Sequence, residues 1–161
     1  AALRGLAVHR FFELARPGDA AGQAAVAARL KLEPSVAAAL SALLNDPAHA
    51  PWFGPEAMAE AAIAGAVAGI GPVLGKLDRL AVTPDTVAVL DFKSGLRNGE
   101  TFAAYTRQMA LYAELLGLAH PGRTVKAALL WTRDGRLDVL ESSDLAEALT
   151  QMRREQVGQP A

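Results

Sequence analysis

The sequence predicts one mixed α/β domain, and three observations carry that prediction. The first third is rich in alanine and leucine at helical spacing. From Ala59 the apolar period shortens to two, in runs separated by turn residues. A long helical pattern, Thr101 to Ala119, then divides three such runs from two more. Helices, three strands, helix, two strands, helix is the order of a mixed sheet with helices packed on it.

Each element has its own signal. "LRGLAVHRFFELA" places Leu3, Leu6, Phe11 and Leu14 near helical spacing, and "RPGD" ends it. "DAAGQAAVAARLKL" is a second helix with Asp19 as its cap. "EPSVAAALSALLND" is a third, and Pro34 is tolerated in its first turn. "PAHAPWFGPE" reads as a loop with aromatic anchors. "AEAAIAGAV" is a weak first strand, and "PVLGKLDRLAVT" and "TVAVLDFK" form an antiparallel hairpin across "TPDT". "GLRNGE" is a loop before the long helix, which Thr101 or the residues before it cap and which ends near Gly117. "TVKAALLWT" and "RLDVLES" are two strands around "RDG", and "SDLAEALTQMRREQ" is the final helix.

Composition narrows the chemistry. The chain has 161 residues, 52% apolar and 20% charged, enough for one sizeable core and wrong for disorder. A net charge of −1 argues against a broadly basic nucleic-acid coat, though not against a local groove. The absence of cysteine removes disulfides, zinc thiolates, iron–sulfur clusters and cysteine nucleophiles together. It agrees with a cytoplasmic location. No apolar run reaches membrane-span length, and the first residues given show no signal-peptide pattern. The sequence starts at Ala1 without methionine, directly in a helical pattern, so a domain excised from a longer protein is expected. There is no Gly-x-Ser-x-Gly elbow, no Walker loop and no His-Glu-x-x-His. "GAVAGIG" lacks the following helix and acidic partner of a dinucleotide loop.

The charged residues inside the hairpin raise the functional question, because an unpaired buried charge is costly. Alternation puts Val87, Val89, Asp91 and Lys93 on one face of the third strand, with Ala88, Leu90 and Phe92 on the other. On the second strand Leu74, Lys76, Asp78 and Leu80 share a face. A matched register brings Asp78 toward Asp91, and two carboxylates in one site repel unless a cation lies between them. Mg²⁺ and Mn²⁺ favour such oxygen ligands. Lys93 could hold a water or steady charge developing on a phosphate. Asp-x-Lys alone is also how an ordinary strand ends at a surface. In the long helix Tyr105, Gln108 and Tyr112 fall on one face, where core packing explains the tyrosines but the Gln108 amide still needs a partner. His9 lies mid-helix, His49 and His120 lie in loops, and Glu60 opens the first strand as a third carboxylate or an edge charge.

Taken in order, these residues resemble the PD-(D/E)xK nuclease superfamily, and within it the RecB/AddA-type C-terminal nuclease domain of bacterial helicase–nucleases. "RGLAVHRFFE" resembles the family's histidine helix, "AEAAIAG" its strand with a leading Glu, and "GKLDRL" its Gly-x-x-Asp-Arg-Leu segment. "VLDFKSG" resembles Asp-Tyr-Lys-Thr and "YTRQMALYAELL" the Gln-x-x-x-Tyr helix, while "HPGRTVKAALLWT" looks like the alphaproteobacterial AddA form. Leu77 stands where the family name has proline, Phe92 where tyrosine is common and Ser94 where threonine is usual; none removes a ligand.

The resemblance implies a restriction-endonuclease-like mixed sheet flanked by helices, with residues 1–53 as an N-terminal helical part and 54–161 as nuclease core. It implies an Mg²⁺-dependent deoxyribonuclease, with Mn²⁺ or Ca²⁺ as substitutes and no nucleotide or iron–sulfur cofactor, acting on single-stranded DNA in double-strand break repair. His9, Asp78, Asp91 and the Phe92 carbonyl would bind the metal, and Lys93, Gln108 and Tyr112 would complete the catalytic set. Arg10, Lys76, Arg79, Arg97 and Arg107 would contact DNA. Partners would be helicase domains of the same polypeptide and an AddB-like subunit, with no membrane. The alternative is a non-catalytic DNA-binding or docking module on the same fold.

Overall fold

The computed structural model describes residues 2–158, with side chains from residue 5. The chain begins with three helices, α1 (Ala2–Leu14), α2 (Ala20–Arg29) and α3 (Pro34–Asn45). The stretch expected as a loop holds a 3-10 turn, Pro47–His49, and a one-turn helix, α4 (Ala50–Phe53). Asp46 starts that turn by accepting from the Ala48 N–H at 2.9 Å. Burial of Trp52 and Phe53 then fixes α4, and Trp52 Nε1 donates to the Val89 carbonyl at 3.0 Å. Next come β1 (Ala57–Val67), β2 (Gly71–Val82), β3 (Thr86–Lys93), α5 (Gly99–Ala119), β4 (Thr124–Trp131), β5 (Arg136–Leu140) and α6 (Ser142–Gly158). Asn98 caps α5, accepting from Thr101 N while the Thr101 hydroxyl takes the Asn98 N–H. No helix among the described residues is long and apolar enough to cross a membrane.

The expected mixed α/β fold is present. The five strands form one sheet in the order β1-β2-β3-β4-β5. Neighbours are antiparallel except β3 and β4, which are parallel and are joined by the long crossover helix α5. α5 and α6 cover one face, and α1 to α4 cover the other, each over its own apolar cluster. The central strand β3 feeds both clusters: Val87 and Val89 one, Ala88 and Leu90 the other. The Ala-rich segment that composition alone would make helical is β1, because its partner β2 supplies the hydrogen bonds and α5 the packing.

The buried stripe of α1 is Val8, Phe11 and Phe12, continued by Ala15 just past its end at i, i+3, i+4, i+7 spacing. That corrects the expected stripe: Leu6 is 63% exposed and Leu14 37%, while the Leu3 side chain lies outside the described residues. Phe12 stacks between Phe53 and Phe92, with ring centroids 4.9 Å and 5.4 Å away.

The β1–β2 ladder contains a break that the sequence does not announce. Ala57 packs against the cluster under α1 to α4, whereas Ala61 and Ile63 pack under α5. Residues four apart share a face in an unbroken strand, so β1 changes face between them. Glu60 sits at the change with φ +56°, a left-handed backbone that a β-region side chain seldom adopts. The register places it opposite Asp78, and β2 changes face there too, since Leu77 and Leu80 both join the cluster under α5. Leu80 therefore does not share a face with Asp78, as simple alternation had it. The break turns both Asp78 and Arg79 toward the N-terminal helices.

Candidate active site

Asp91 and Lys93 stand at the end of β3, on the face under α5. The β2–β3 ladder ends at the pair Arg79 and Leu90, so the next rung sets Asp78 opposite Asp91. There the backbone pairing stops, and Asp78 Oδ2 accepts the Phe92 N–H at 2.6 Å. The strands part and two carboxylates face each other in the gap. Asp91 is 7% exposed. Asp78 titrates at about 7, pushed up first by burial and then by its hydrogen bond and charge repulsion with Asp91. The Phe92 N–H and the Lys93 ammonium pull it back only in part.

Each face of the sheet adds groups to this gap. From α1, His9 Nδ1 lies 3.7 Å from Asp78 Oδ1, and its ring meets the edge of Phe92 with centroids 4.4 Å apart. Burial holds the His9 pKa below its ordinary value, against the pull of Asp91 and Glu13. From α5, Gln108 Oε1 accepts from Lys93 Nζ at 2.8 Å, and Gln108 Nε2 donates to the Tyr112 hydroxyl at 3.1 Å. The partner that the Gln108 amide needed is thus Lys93. Lys93 Nζ also lies 2.5 Å from Asp91 Oδ2 and 4.0 Å from the Tyr105 ring centroid. Glycine is required at position 75, where a Cβ would stand 2.3 Å from the Tyr112 hydroxyl.

The cleft beside Asp78 has a volume of about 360 Å³ and is lined by His9, Asp78, Phe92, Ser94, Glu60 and Lys76, among others. Lys76 Nζ and Glu60 Oε2 pair across it at 3.0 Å. Among the described residues no three His, Asp or Glu side chains converge to cage a metal. Of the three side chains expected on the metal, His9 lies beside Asp78 while also feeling the charge of Asp91, and Asp91 turns one oxygen to Lys93. The donor set still fits a hard cation. Two opposed carboxylates, Asp91 buried and Asp78 half-buried with its pKa pushed up to about 7, form a site that favours a cation between them. Mg²⁺ is commonly held by one or two carboxylates, with waters and substrate phosphate completing its shell.

The five cations expected to meet DNA are placed very differently. Lys76 lines the cleft. Arg10 pairs with Glu13 one turn along α1, and Arg107 pairs with Glu155 of α6. Arg97 donates to Asp138 Oδ2 at 2.6 Å and lies over the Phe102 ring. Arg79 is only 5% exposed, and its guanidinium is engaged by backbone carbonyls. Its Nε donates to the Trp52 carbonyl at 2.8 Å and its Nη1 to the Phe12 carbonyl at 2.7 Å. Those carbonyls belong to the last turns of α4 and α1, so one guanidinium caps two helices and meets the negative ends of both.

Sequence reasoning missed one structural group, Asp138. It accepts from Arg97, from Trp131 Nε1 at 2.8 Å and from Arg136 at 3.0 Å. Burial alone would raise its pKa, but these three donors outweigh that and hold it low. Its place midway along a short amphipathic strand carries no sequence signal.

Compared with known proteins, residues 1–158 match the family model of the PD-(D/E)XK nuclease superfamily. No curated protein matches the chain.

Proposed function

This chain belongs to the PD-(D/E)XK nuclease superfamily, and we propose that it hydrolyses phosphodiester bonds of DNA, mainly in single strands, with Mg²⁺ as its cofactor. The observation that supports this best is the opposition of Asp78 and Asp91 where β2 and β3 part, with Lys93 beside Asp91. The finer reading is a RecB/AddA-type domain of a larger helicase–nuclease in double-strand break repair, served by helicase domains and an AddB-like subunit. It rests on the order of the sequence motifs.

In this reading His9, Asp78 and Asp91 would hold the cation, joined by the Phe92 carbonyl, with His9 also beside Asp78. When bound, the metal polarises the phosphate and acidifies a water. Lys93 orients the attacking water or meets negative charge as it develops on the phosphoryl oxygens. Gln108 fixes the Lys93 ammonium and is itself fixed by Tyr112. Lys76 leaves Glu60 to meet the incoming strand, and Arg10 and Arg97 offer further phosphate contacts at exposed positions.

Cleavage of end-labelled single-stranded DNA in Mg²⁺ tests the reading. Wild type cuts, and Asp91→Ala is slowed by at least about a hundredfold, the scale of losing a principal charge-stabilising group. Equal rates in the two proteins would sink the catalytic reading and leave a docking module on the same fold.

A further inference from the structure

We propose that Tyr105 is a positioning residue for Lys93, whose ammonium it seats on the face of its ring. The proposal rests on the nuclease reading for its kinetic half and on geometry alone for the rest. A lysine side chain ends in a point charge on a flexible four-carbon stem, so its position must be imposed from outside. At Lys93 three contacts impose it. Asp91 Oδ2 lies 2.5 Å from Nζ, Gln108 Oε1 lies 2.8 Å away, and the Tyr105 ring centroid lies 4.0 Å away. The two polar contacts draw the ammonium toward β3 and α5, and the electron-rich ring face closes a third direction.

The seat is itself held. Tyr105 lies against Trp131, with ring centroids 5.8 Å apart and planes inclined by 55°. Trp131 is 1% exposed, pairs with Lys93 across the β3–β4 ladder and donates its Nε1 to Asp138. Asp138 also takes Arg97, from the loop that follows Lys93. The order Asp138, Trp131, Tyr105, Lys93 thus links the loop after the catalytic strand to the lysine on that strand. Core packing accounts for a tyrosine on this helix, but it does not require the ring to lie under the one buried ammonium of the site.

Two readouts on the same variants test this. The first is the proton shift of the Lys93 ε-methylene in lysine-labelled protein. The ring current moves it upfield in wild type and Tyr105→Phe, and it returns toward the free-lysine position in Tyr105→Leu, or in Tyr105→Met should the leucine variant not fold. The second is steady-state cleavage of single-stranded DNA in Mg²⁺. Tyr105→Leu loses roughly ten- to thirtyfold in kcat with KM little changed, and Tyr105→Phe recovers it. An unchanged Lys93 shift in Tyr105→Leu overturns the seat whether or not the protein cuts DNA. A lost shift with unchanged kcat overturns its role in the reaction. Equal losses in the Phe and Leu variants overturn the ring-face account in favour of the hydroxyl. A wild type that cuts no DNA removes the nuclease reading and the kinetic half with it, while the shift still decides the seat.

Discussion

At the scale of the residue, the site depends on charges whose neighbours decide what they do. Asp78 shows this through its proton. The folded chain raises it from 3.8 to about 7. The folded state therefore binds the proton more tightly than the unfolded chain, and this stabilising contribution is complete below the unfolded value. It is lost as pH rises from about 4 toward 7. In chelator, the melting temperature of wild type relative to Asp78→Asn should fall across that window. A difference that stays flat from pH 4 to 8 would contradict the raised value. Lys93→Ala should slow cleavage by about two orders of magnitude while calorimetry shows metal affinity largely kept, because Lys93 is not a metal ligand. Lost metal binding would reassign the lysine. Gly75→Ala drives a methyl into the Tyr112 hydroxyl and should destabilise the fold by about 1–3 kcal/mol in urea titrations. The opposition of Asp78 and Asp91 was legible from the hairpin register. The caps on α1 and α4 were not, because nothing near Arg79 in sequence marks the Phe12 and Trp52 carbonyls as its partners.

At the scale of the element, the hairpin and the helix that brings His9 to it depend on each other. α1 is anchored by Phe12 stacked between Phe53 and Phe92, and by the Arg79 cap. Arg79→Met keeps much of the side-chain volume but leaves two helix-end carbonyls without their charged donor. We expect a loss of about 2–4 kcal/mol in denaturant titrations, and a mild substitution would show that solvent can replace the cap. The helical character of α1, α2, α3, α5 and α6 and the alternation of β3 were readable from local pattern, although the buried stripe of α1 was not. β1 and β2 were readable as strands but not in their facing, because the change of face at Glu60 and Asp78 is a backbone event with no periodic signature. α4 was hidden for a similar reason. One turn is too short to show a period, and it forms because Trp52 and Phe53 find places in a distant core.

At the scale of the whole molecule, the sheet separates two apolar clusters, and the candidate site lies where the β2–β3 pairing ends. His9 reaches it from the side of α1, and Gln108 and Tyr112 from the side of α5. The surface around it is not a basic groove. The net charge is −1, and Arg10, Lys76, Arg97 and Arg107 each pair with an acid of the same chain. Binding to single-stranded DNA by this chain alone should accordingly be weak, with a salt slope corresponding to only about two or three phosphate contacts. Fluorescence anisotropy against salt measures it. A slope of about −5 or steeper would mean that these ion pairs open fully to the strand.

The sequence by itself determined the element order and the mixed α/β class, and it singled out the charged residues proposed for the site. Hydrophobic period, caps and turn residues are local properties, and the register of a short hairpin follows from them. Only the tertiary structure decided which of those charges act together. It removed Arg79 to the interior, set His9 beside Asp78, and brought Tyr105 and Gln108 onto Lys93 from another element. Such choices depend on how the helical layers settle on the two faces of the sheet. That settling is fixed by contacts between residues far apart in the chain, which no local pattern encodes.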